Sequence, residues 1–174
     1  MTVTTDRIAL ATAPARSDAG RNFRTVLGHL PTGVVVVAAR SRDGIVGMAV
    51  NSITSVSLEP QLVSICPARS SSTWRQIRAA GLFCISILAD HHEQTSRQFA
   101  ASRTDRFEGV PWHDRVSGPA LDDAVAWLDC EMYAEYAAGD HTIAVARVLD
   151  LGAADDGRAL VFFRGRYGRF TPNA

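Results

Sequence analysis

The stretch from residue 33 to residue 52, GVVVVAARSRDGIVGMAVNS, decides the fold class. It holds two β-branched apolar runs, residues 34–39 and 45–50, separated by a short polar segment that ends in Asp43-Gly44. An Asp-Gly pair suits a tight hairpin, because glycine tolerates a positive φ. The two runs are therefore predicted to be neighbouring antiparallel strands.

Similar short runs, bounded by turn residues, recur along the rest of the chain. They predict strands at residues 62–66, 82–88, 125–136, 142–149 and 159–164. No internal repeat interrupts this pattern. The sequence is thus predicted to be mainly β.

Three short helices are predicted beside these strands. Apolar residues recur at helical spacing over residues 18–30. A second helix opens at the serine run of residues 70–72 and ends at Gly81, and a third covers residues 90–101 with Glu93 as its capping-box partner. Six or seven strands with three short helices predict a closed barrel, since closure removes exposed sheet edges.

Length and charge limit the function classes. A chain of 174 residues with 47% hydrophobic content fits one domain. We expect a leader over residues 1–18 and a single folded domain over residues 19–174. Because 18 acidic and 18 basic residues cancel, neither nucleic acid nor a membrane surface is expected as a partner.

Residue usage excludes further mechanisms. The sequence contains no lysine, which excludes a Schiff-base lysine and a lysine-dependent phosphate loop. Three widely spaced cysteines without a C-x-x-C pair predict neither a disulfide framework nor a zinc site, and a reducing cytoplasm is expected. The triplet His91-His92-Glu93 matches no zinc motif, so no metal is expected.

A polar run follows the second strand of the hairpin. Five hydrogen-bonding side chains fall within seven positions: Asn51, Ser52, Thr54, Ser55 and Ser57. Short uncharged donors and acceptors of this kind suit a flat heteroaromatic ligand with carbonyl and N–H edges. From composition alone, a polar loop or an edge strand with exposed hydroxyls is the favoured interpretation.

A second candidate segment covers residues 68–73. Its hydroxyls, together with the free amides of a helix N-terminus, would make a seat for phosphate, although ordinary N-capping also explains the serines. Arg103 and Arg106 would add positive charge, because arginine binds phosphate oxygens in a fork. A solvated charged turn is the commoner explanation for both arginines.

Taken together, these residues resemble the flavin reductase family, the short-chain NAD(P)H:flavin oxidoreductases that partner flavin-dependent monooxygenases. The resemblance covers residues 23–170. It rests on the order and spacing of these marks: Pro31-Thr32-Gly33 before the valine run, Asn51-Ser52, residues 55–60, Arg106-Phe107 with Trp112, Gly139-Asp140-His141, and residues 162–167.

The resemblance implies an FMN-binding split barrel, a six-stranded Greek-key-like antiparallel barrel, that usually forms a homodimer. It implies hydride transfer from NADH or NADPH to FMN or FAD, with reduced flavin diffusing to a partner monooxygenase. A non-catalytic flavin-binding or electron-carrying barrel is the alternative. A pyridoxine-phosphate-oxidase-like barrel would be expected to show more clustered basic residues.

The resemblance also implies roles for particular residues. Those bordering the isoalloxazine ring and ribityl chain would be Thr32, Asn51, Ser52, Thr54 and Ser55, with Ser57 beside them. Those approaching the phosphate would be Ala68, Ser71, Ser72 and Arg103 or Arg106. Those on the nicotinamide side would be Arg166, Tyr167, Gly168 and His141, of which His141 is the candidate catalytic residue.

Overall fold

A computed structural model of the 174-residue chain describes residues 18–102 and 105–171. Its helices are α1 (Asp18–Leu27), α2 (Ser72–Ala80) and α3 (Glu93–Ala100). Its strands are β1 (Thr32–Gly33), β2 (Val35–Ser41), β3 (Gly44–Val50), β4 (Thr54–Leu58), β5 (Gln61–Ile65), β6 (Leu82–Ile87), β7 (Trp112–Arg115), β8 (Gly118–Leu121), β9 (Ala126–Ala138), β10 (His141–Ala153), β11 (Leu160–Phe163) and β12 (Arg166–Arg169). The prediction of a mainly β fold with a few short helices is confirmed.

One large antiparallel sheet dominates the fold. Its seven strands lie in the order β3-β2-β6-β9-β10-β5-β4. The predicted hairpin is β2–β3, in which Ser41 pairs with Gly44 across the turn. A three-stranded sheet of β1, β11 and β12 and the β7–β8 hairpin complete the strands that the structure describes.

The large sheet curls around a core. Met48 near one end of the sheet and Val63 near the other pack against the same buried cluster, which includes Phe83 and Ile85 of the interior strand β6. Helix α2 inserts Trp74 into this cluster. The opposite face of β2 packs with α3, β8 and β11 in a second cluster. This curled sheet with two cores is the architecture of the predicted split barrel.

Closure of the barrel differs from the prediction. The expected six-stranded closed barrel is instead a seven-stranded sheet whose terminal strands are β3 and β4. The extra strand is β4, which is formed by the polar run. The sequence left open whether this run is a loop or an edge strand. Its hydroxyl side chains, those of Thr54, Ser55 and Ser57, lie at a sheet edge, where closure would otherwise pair the backbone groups.

The ends of α2 lie where the sequence predicts them. The Ser71 hydroxyl accepts a hydrogen bond from the Trp74 amide at 3.0 Å, and Gly81 at the C-cap adopts a φ of 77°. Both devices are local, a polar N-cap and a left-handed glycine, so the sequence is sufficient to predict them.

The predicted start of α3 at Asp90 is wrong. The amide of Asp90 donates to the carbonyl of Arg158 at 2.7 Å, which extends the pairing between Ala89 and Ala159. The helix begins only at Glu93, whose carboxylate binds Arg97 on the next turn instead of closing a capping box. Asp90, which the capping pattern assigned to the helix, therefore takes part in sheet pairing instead.

Helix α1 is shorter than the predicted 18–30 and exposes its apolar face. It ends at Leu27, and turns carry the chain on to Leu30. The apolar residues that recur at helical spacing are all exposed: Phe23, Val26, Leu27 and Leu30. Apart from Asp18, where α1 begins, the expected leader lies outside the described residues.

Candidate functional site

The β9–β10 hairpin and the segment after β5 join at one end of the sheet. Ala68 forms a β-bridge with His141, and the amide of Thr142 donates to the carbonyl of Pro67 at 3.0 Å. The amide of Arg69 donates to the carbonyl of Asp140 at 3.0 Å. The structure therefore brings His141 next to the predicted phosphate segment, although the two lie some seventy residues apart in sequence.

The polar run after β3 also contacts this region of the fold. The Ser52 hydroxyl accepts a hydrogen bond from the Cys66 amide at 2.8 Å, which ties the run to the end of β5. The Asn51 side-chain amide donates to the Thr32 hydroxyl at 3.3 Å. Two hydrogen bonds and one β-bridge thus connect the segments that hold Thr32, Asn51, Ser52, Ala68 and His141.

His141 is half exposed and contacts a carboxylate. Its Nδ1 lies 2.8 Å from Oδ1 of Asp140, and 47% of its side chain is exposed. The hydrogen bond to His141, with the charge of the imidazole, lowers the pKa of the Asp140 carboxyl below its ordinary value. An Nδ1 that donates to this carboxylate leaves Nε2 accessible to a ligand.

The N-terminus of α2 offers backbone donors beside this group. The first amides of a helix have no partner within it, and Ser71 takes only that of Trp74. The amides of Ser72 and Thr73 therefore remain at the positive end of the helix dipole. Because the Ser71 hydroxyl caps the helix, its predicted role towards phosphate would be shared with capping.

Arg106 lies on the other side of this N-terminus. Its Nη1 donates to the Gly47 carbonyl at 2.8 Å and to the Thr73 hydroxyl at 3.1 Å, and its Nε donates to the Ala101 carbonyl at 2.9 Å. Burial lowers the pKa of the guanidinium below its ordinary value. Three of its five N–H groups are used by neutral acceptors of the protein, so Arg106 joins β3, α2 and the end of α3.

A cleft of about 480 Å³ opens at Arg106. Among its lining residues, Thr73 belongs to the candidate segment 68–73, whereas Gln76, Ser102 and Asp43 were not predicted as site residues. The hydroxyl-rich composition of segment 68–73 already indicated Thr73. No sequence pattern indicated a binding role for Gln76 or Asp43, because only the packing of α2 on β3 brings them to the cleft.

The C-terminal motif lies elsewhere on the fold, on β12. The Tyr167 hydroxyl is 2.9 Å from that of Ser96 in α3, and the Arg97 guanidinium lies 4.9 Å from the centre of the tyrosine ring. Tyr167 also lines a small cleft of about 140 Å³ together with Asn51. The structure therefore connects Tyr167 to the polar run, with Arg166 and Gly168 as its neighbours on the strand.

The remaining predicted residues are placed as follows. Thr54, Ser55 and Ser57 lie on the edge strand β4. Arg103 lies outside the described residues. The choice between Arg103 and Arg106 as phosphate ligand thus stays a prediction, with Arg106 already bound to three protein acceptors.

The donor set fits a flavin phosphate and a heteroaromatic ring. It combines uncharged hydroxyls and amides with one half-buried guanidinium and a helix N-terminus. Within the described ranges no group of three His, Cys, Asp or Glu side chains could hold a metal ion. In the same residues no helix is long and apolar enough to span a membrane.

Comparison with known proteins assigns the family. The model of the flavin reductase like domain matches residues 27–171. A flavin reductase of Pseudomonas putida is 43% identical over 151 residues, which cover 86% of this chain and 89% of that protein. The reductase subunit HsaB of a flavin-dependent monooxygenase from Rhodococcus jostii is 37% identical, over 88% of this chain and 79% of that protein.

Solved structures agree with this assignment. The NADH:FAD oxidoreductase SgcE6 of Streptomyces globisporus, solved with NAD and FAD fragments, matches with a TM-score of 0.85 and 36% identity, over 93% of this chain and 99% of that one. A nitrilotriacetate monooxygenase component B homologue from Mycobacterium thermoresistibile gives a TM-score of 0.86 at 33% identity, over 92% and 94% of the two chains. The chain belongs to the flavin reductase family.

Proposed function

We propose that the chain is a flavin reductase that transfers a hydride from NADH to FMN or FAD and supplies the reduced flavin to a separate monooxygenase. Relatives named as a flavin reductase and as the reductase subunit of a monooxygenase support this role. A solved relative named as an NADH:FAD oxidoreductase supports the donor. NADPH stays a second possible donor, since the sequence carries no Rossmann-type discriminator.

The observation that carries the proposal is the meeting of His141 with the segments that hold Ser52 and Ala68. A bound flavin would supply the hydride-accepting ring, so the protein needs only to hold two rings in contact. Ser52 and Asn51 offer hydrogen bonds to a heteroaromatic edge, while Asp140 holds the His141 ring. This arrangement of positioning groups without a strong acid or base suits hydride transfer between two cofactors.

Flavin-dependent oxidation of NADH tests the proposal. The purified protein should oxidise NADH at an appreciable rate only when FMN or FAD is added, and His141→Ala should lower kcat/KM for NADH about tenfold because the nicotinamide loses a positioning contact. Flavin affinity should stay within about twofold of wild type. Stopped-flow reduction of bound flavin measures the first quantity and fluorescence titration the second.

His113→Ala is a matched control, because His113 is also half exposed and bound to a carboxylate, that of Asp122. It should leave both quantities unchanged. Flavin binding without NADH turnover by the wild type would favour the carrier alternative. Equal rates for wild type and His141→Ala would make His141 a structural residue.

We also propose a homodimer, as the resemblance implies. Its support is the exposed apolar face of α1, where Phe23 is 67% exposed. Three large apolar side chains on one helical face, with Leu30 exposed just beyond the helix, are costly to leave in water and typical of a protein interface. The three cysteines are free in the structure, which accords with the proposed cytoplasmic location.

The double variant Phe23→Asp/Leu27→Asp should convert the dimer to a monomer, because two carboxylates would be buried in the interface. Light scattering coupled to size exclusion measures the mass. Val116→Asp replaces a residue that is 86% exposed in the β7–β8 turn and should leave the mass unchanged. A monomeric wild type at micromolar concentration would contradict the proposal.

A further inference from the structure

Helix α2 has a second polar anchor besides Arg106. Glu135 of β9 accepts a hydrogen bond from the indole Nε1 of Trp74 at 3.0 Å through its Oε1. Its Oε2 accepts another from Nη1 of Arg78, also at 3.0 Å. Trp74 and Arg78 lie four residues apart on α2 and therefore on one face of the helix. One carboxylate thus binds two successive turns of α2.

This anchor is shielded from solvent and carries charge. Trp74 is buried and packs edge-on against Phe83, and 21% of the Glu135 side chain is exposed. Burial raises the pKa of the Glu135 carboxyl, but the hydrogen bonds from Trp74 and Arg78 outweigh this effect and hold the pKa below its ordinary value. The carboxylate is therefore ionised at neutral pH and forms charge-assisted hydrogen bonds. A buried indole N–H without this acceptor would be left unpaired.

Glu135 lies on the hairpin that carries His141. It pairs with Ala144 across β9 and β10, three register positions from the pair of Ala138 with His141 at the turn. Trp74, at the other end of the contact, lies in the first turn of α2, next to the amides of the proposed phosphate seat. One side-chain contact therefore joins the turn that would hold the flavin phosphate to the hairpin that carries the nicotinamide-side histidine.

Two connections thus set the position of His141 relative to the phosphate seat. One is the β-bridge of Ala68 with His141, from which the chain runs directly to Ser71 and α2. The other is the contact of Glu135 with Trp74. Apolar packing of α2 in the core is not directional, whereas a hydrogen bond has a preferred distance and angle. The carboxylate therefore limits how far α2 can shift or rotate relative to the hairpin.

We propose that Glu135 is a positioning residue for hydride transfer: through Trp74 it keeps the phosphate seat of α2 aligned with His141. This inference rests on the proposed function. A flavin held by its phosphate at α2 and a nicotinamide held at His141 meet at a distance that this contact sets. Because hydride transfer requires near contact of the two rings, a displacement of about 1 Å is enough to slow it.

The test compares FMN with riboflavin as the hydride acceptor of Glu135→Leu. Riboflavin has no phosphate, so its ring is not tethered to α2. At saturating NADH and flavin we expect the rate of FMN reduction to fall about tenfold, and that of riboflavin to stay within about twofold of wild type. The charge-transfer absorbance of the flavin–nicotinamide complex should weaken for FMN alone. Stopped-flow absorbance measures both, at a temperature where circular dichroism shows the variant to be folded.

Two further variants separate this role from loss of charge. Glu135→Gln keeps an acceptor for the Trp74 indole and loses only the ion pair with Arg78, which solvent screens because Arg78 is half exposed. It should recover most of the FMN rate. Glu131→Leu is the matched control, because Glu131 lies on the same strand and its carboxylate binds Arg147 of β10 at 3.1 Å. It should change neither rate.

Trp74→Phe removes the donor but keeps an aromatic ring in the core. It should show the same selective loss with FMN, and its combination with Glu135→Leu should add nothing further. If the leucine variant does not fold, the comparison of the two flavins in Trp74→Phe decides. An unchanged FMN rate, or equal losses with FMN and riboflavin, would overturn the inference. A wild type that oxidises NADH with neither flavin would refute the proposed function itself.

Discussion

Asp129→Ala is expected to lower the free energy of unfolding by about 3–5 kcal/mol. Asp129 is 1% exposed, and its Oδ2 accepts a hydrogen bond from Nε of Arg115 at 3.0 Å. The backbone amide of Ser117 donates to its other oxygen at 3.4 Å. Without the carboxylate, the guanidinium of Arg115 and this amide would lose their main buried partner, which is the costly way to break a buried pair.

Asp150→Ala provides a matched control on the same guanidinium. Asp150 binds Nη2 of Arg115 at 3.2 Å, but its side chain is 66% exposed. Solvent screens such a pair, so its removal should cost no more than about 1 kcal/mol. Urea unfolding at a fixed protein concentration, followed by tryptophan fluorescence, measures both variants. Equal losses for the two variants would show that burial of Asp129 does not set the strength of the pair.

The sequence gives no sign of this pair, and the reason is physical. Arg115 lies in β7 and Asp129 in β9. In the sequence, both look like any other charged residue of a half-exposed strand. The β7–β8 hairpin was itself missed, since Pro119 and the polar run His113-Asp114-Arg115 leave it without a β-branched run. Short strands held by side-chain contacts to distant elements leave no local pattern to find.

Features that depend on residues close in sequence were predicted more accurately than features that depend on distant residues. The caps of α2 and the β2–β3 hairpin depend on neighbours in sequence and lie as predicted. The start of α3 was misplaced because sheet pairing at Ala89 and Asp90 outweighs a local capping pattern. Barrel closure is a property of the whole sheet, and the alternation of residues within single strands does not determine it.

The candidate site shows the same division. Hydroxyl-rich segments at Ser52 and Ser71 were found from composition, and the resemblance supplied His141. Their meeting depends on the pairing of Ala68 with His141, which joins distant parts of the chain. The role of Arg106 as a link between three elements was not predictable, because two of its acceptors are backbone carbonyls that any residue could supply.

Arg106→Gln is expected to weaken FMN binding about tenfold or more. The guanidinium binds both the Thr73 hydroxyl and the Gly47 carbonyl, so its removal breaks this link between the first turn of α2 and β3, while the contact of Ser71 with Met48 remains. That turn carries the amides of the proposed phosphate seat, and each lost charge-assisted hydrogen bond contributes roughly 1.5–3 kcal/mol. Because the seat serves the phosphate, riboflavin, which has none, should lose less affinity than FMN.

Titration of flavin fluorescence with FMN and with riboflavin measures this difference, at a temperature where circular dichroism shows the variant to be folded. Arg42→Gln removes the same charge from the exposed β2–β3 turn and should leave both affinities unchanged. Arg106→Lys keeps the charge but not the fork that reaches three acceptors, so it should restore affinity only in part. Full recovery with lysine would show that charge alone matters. Equal losses for FMN and riboflavin would show that Arg106 supports the fold and not the phosphate seat.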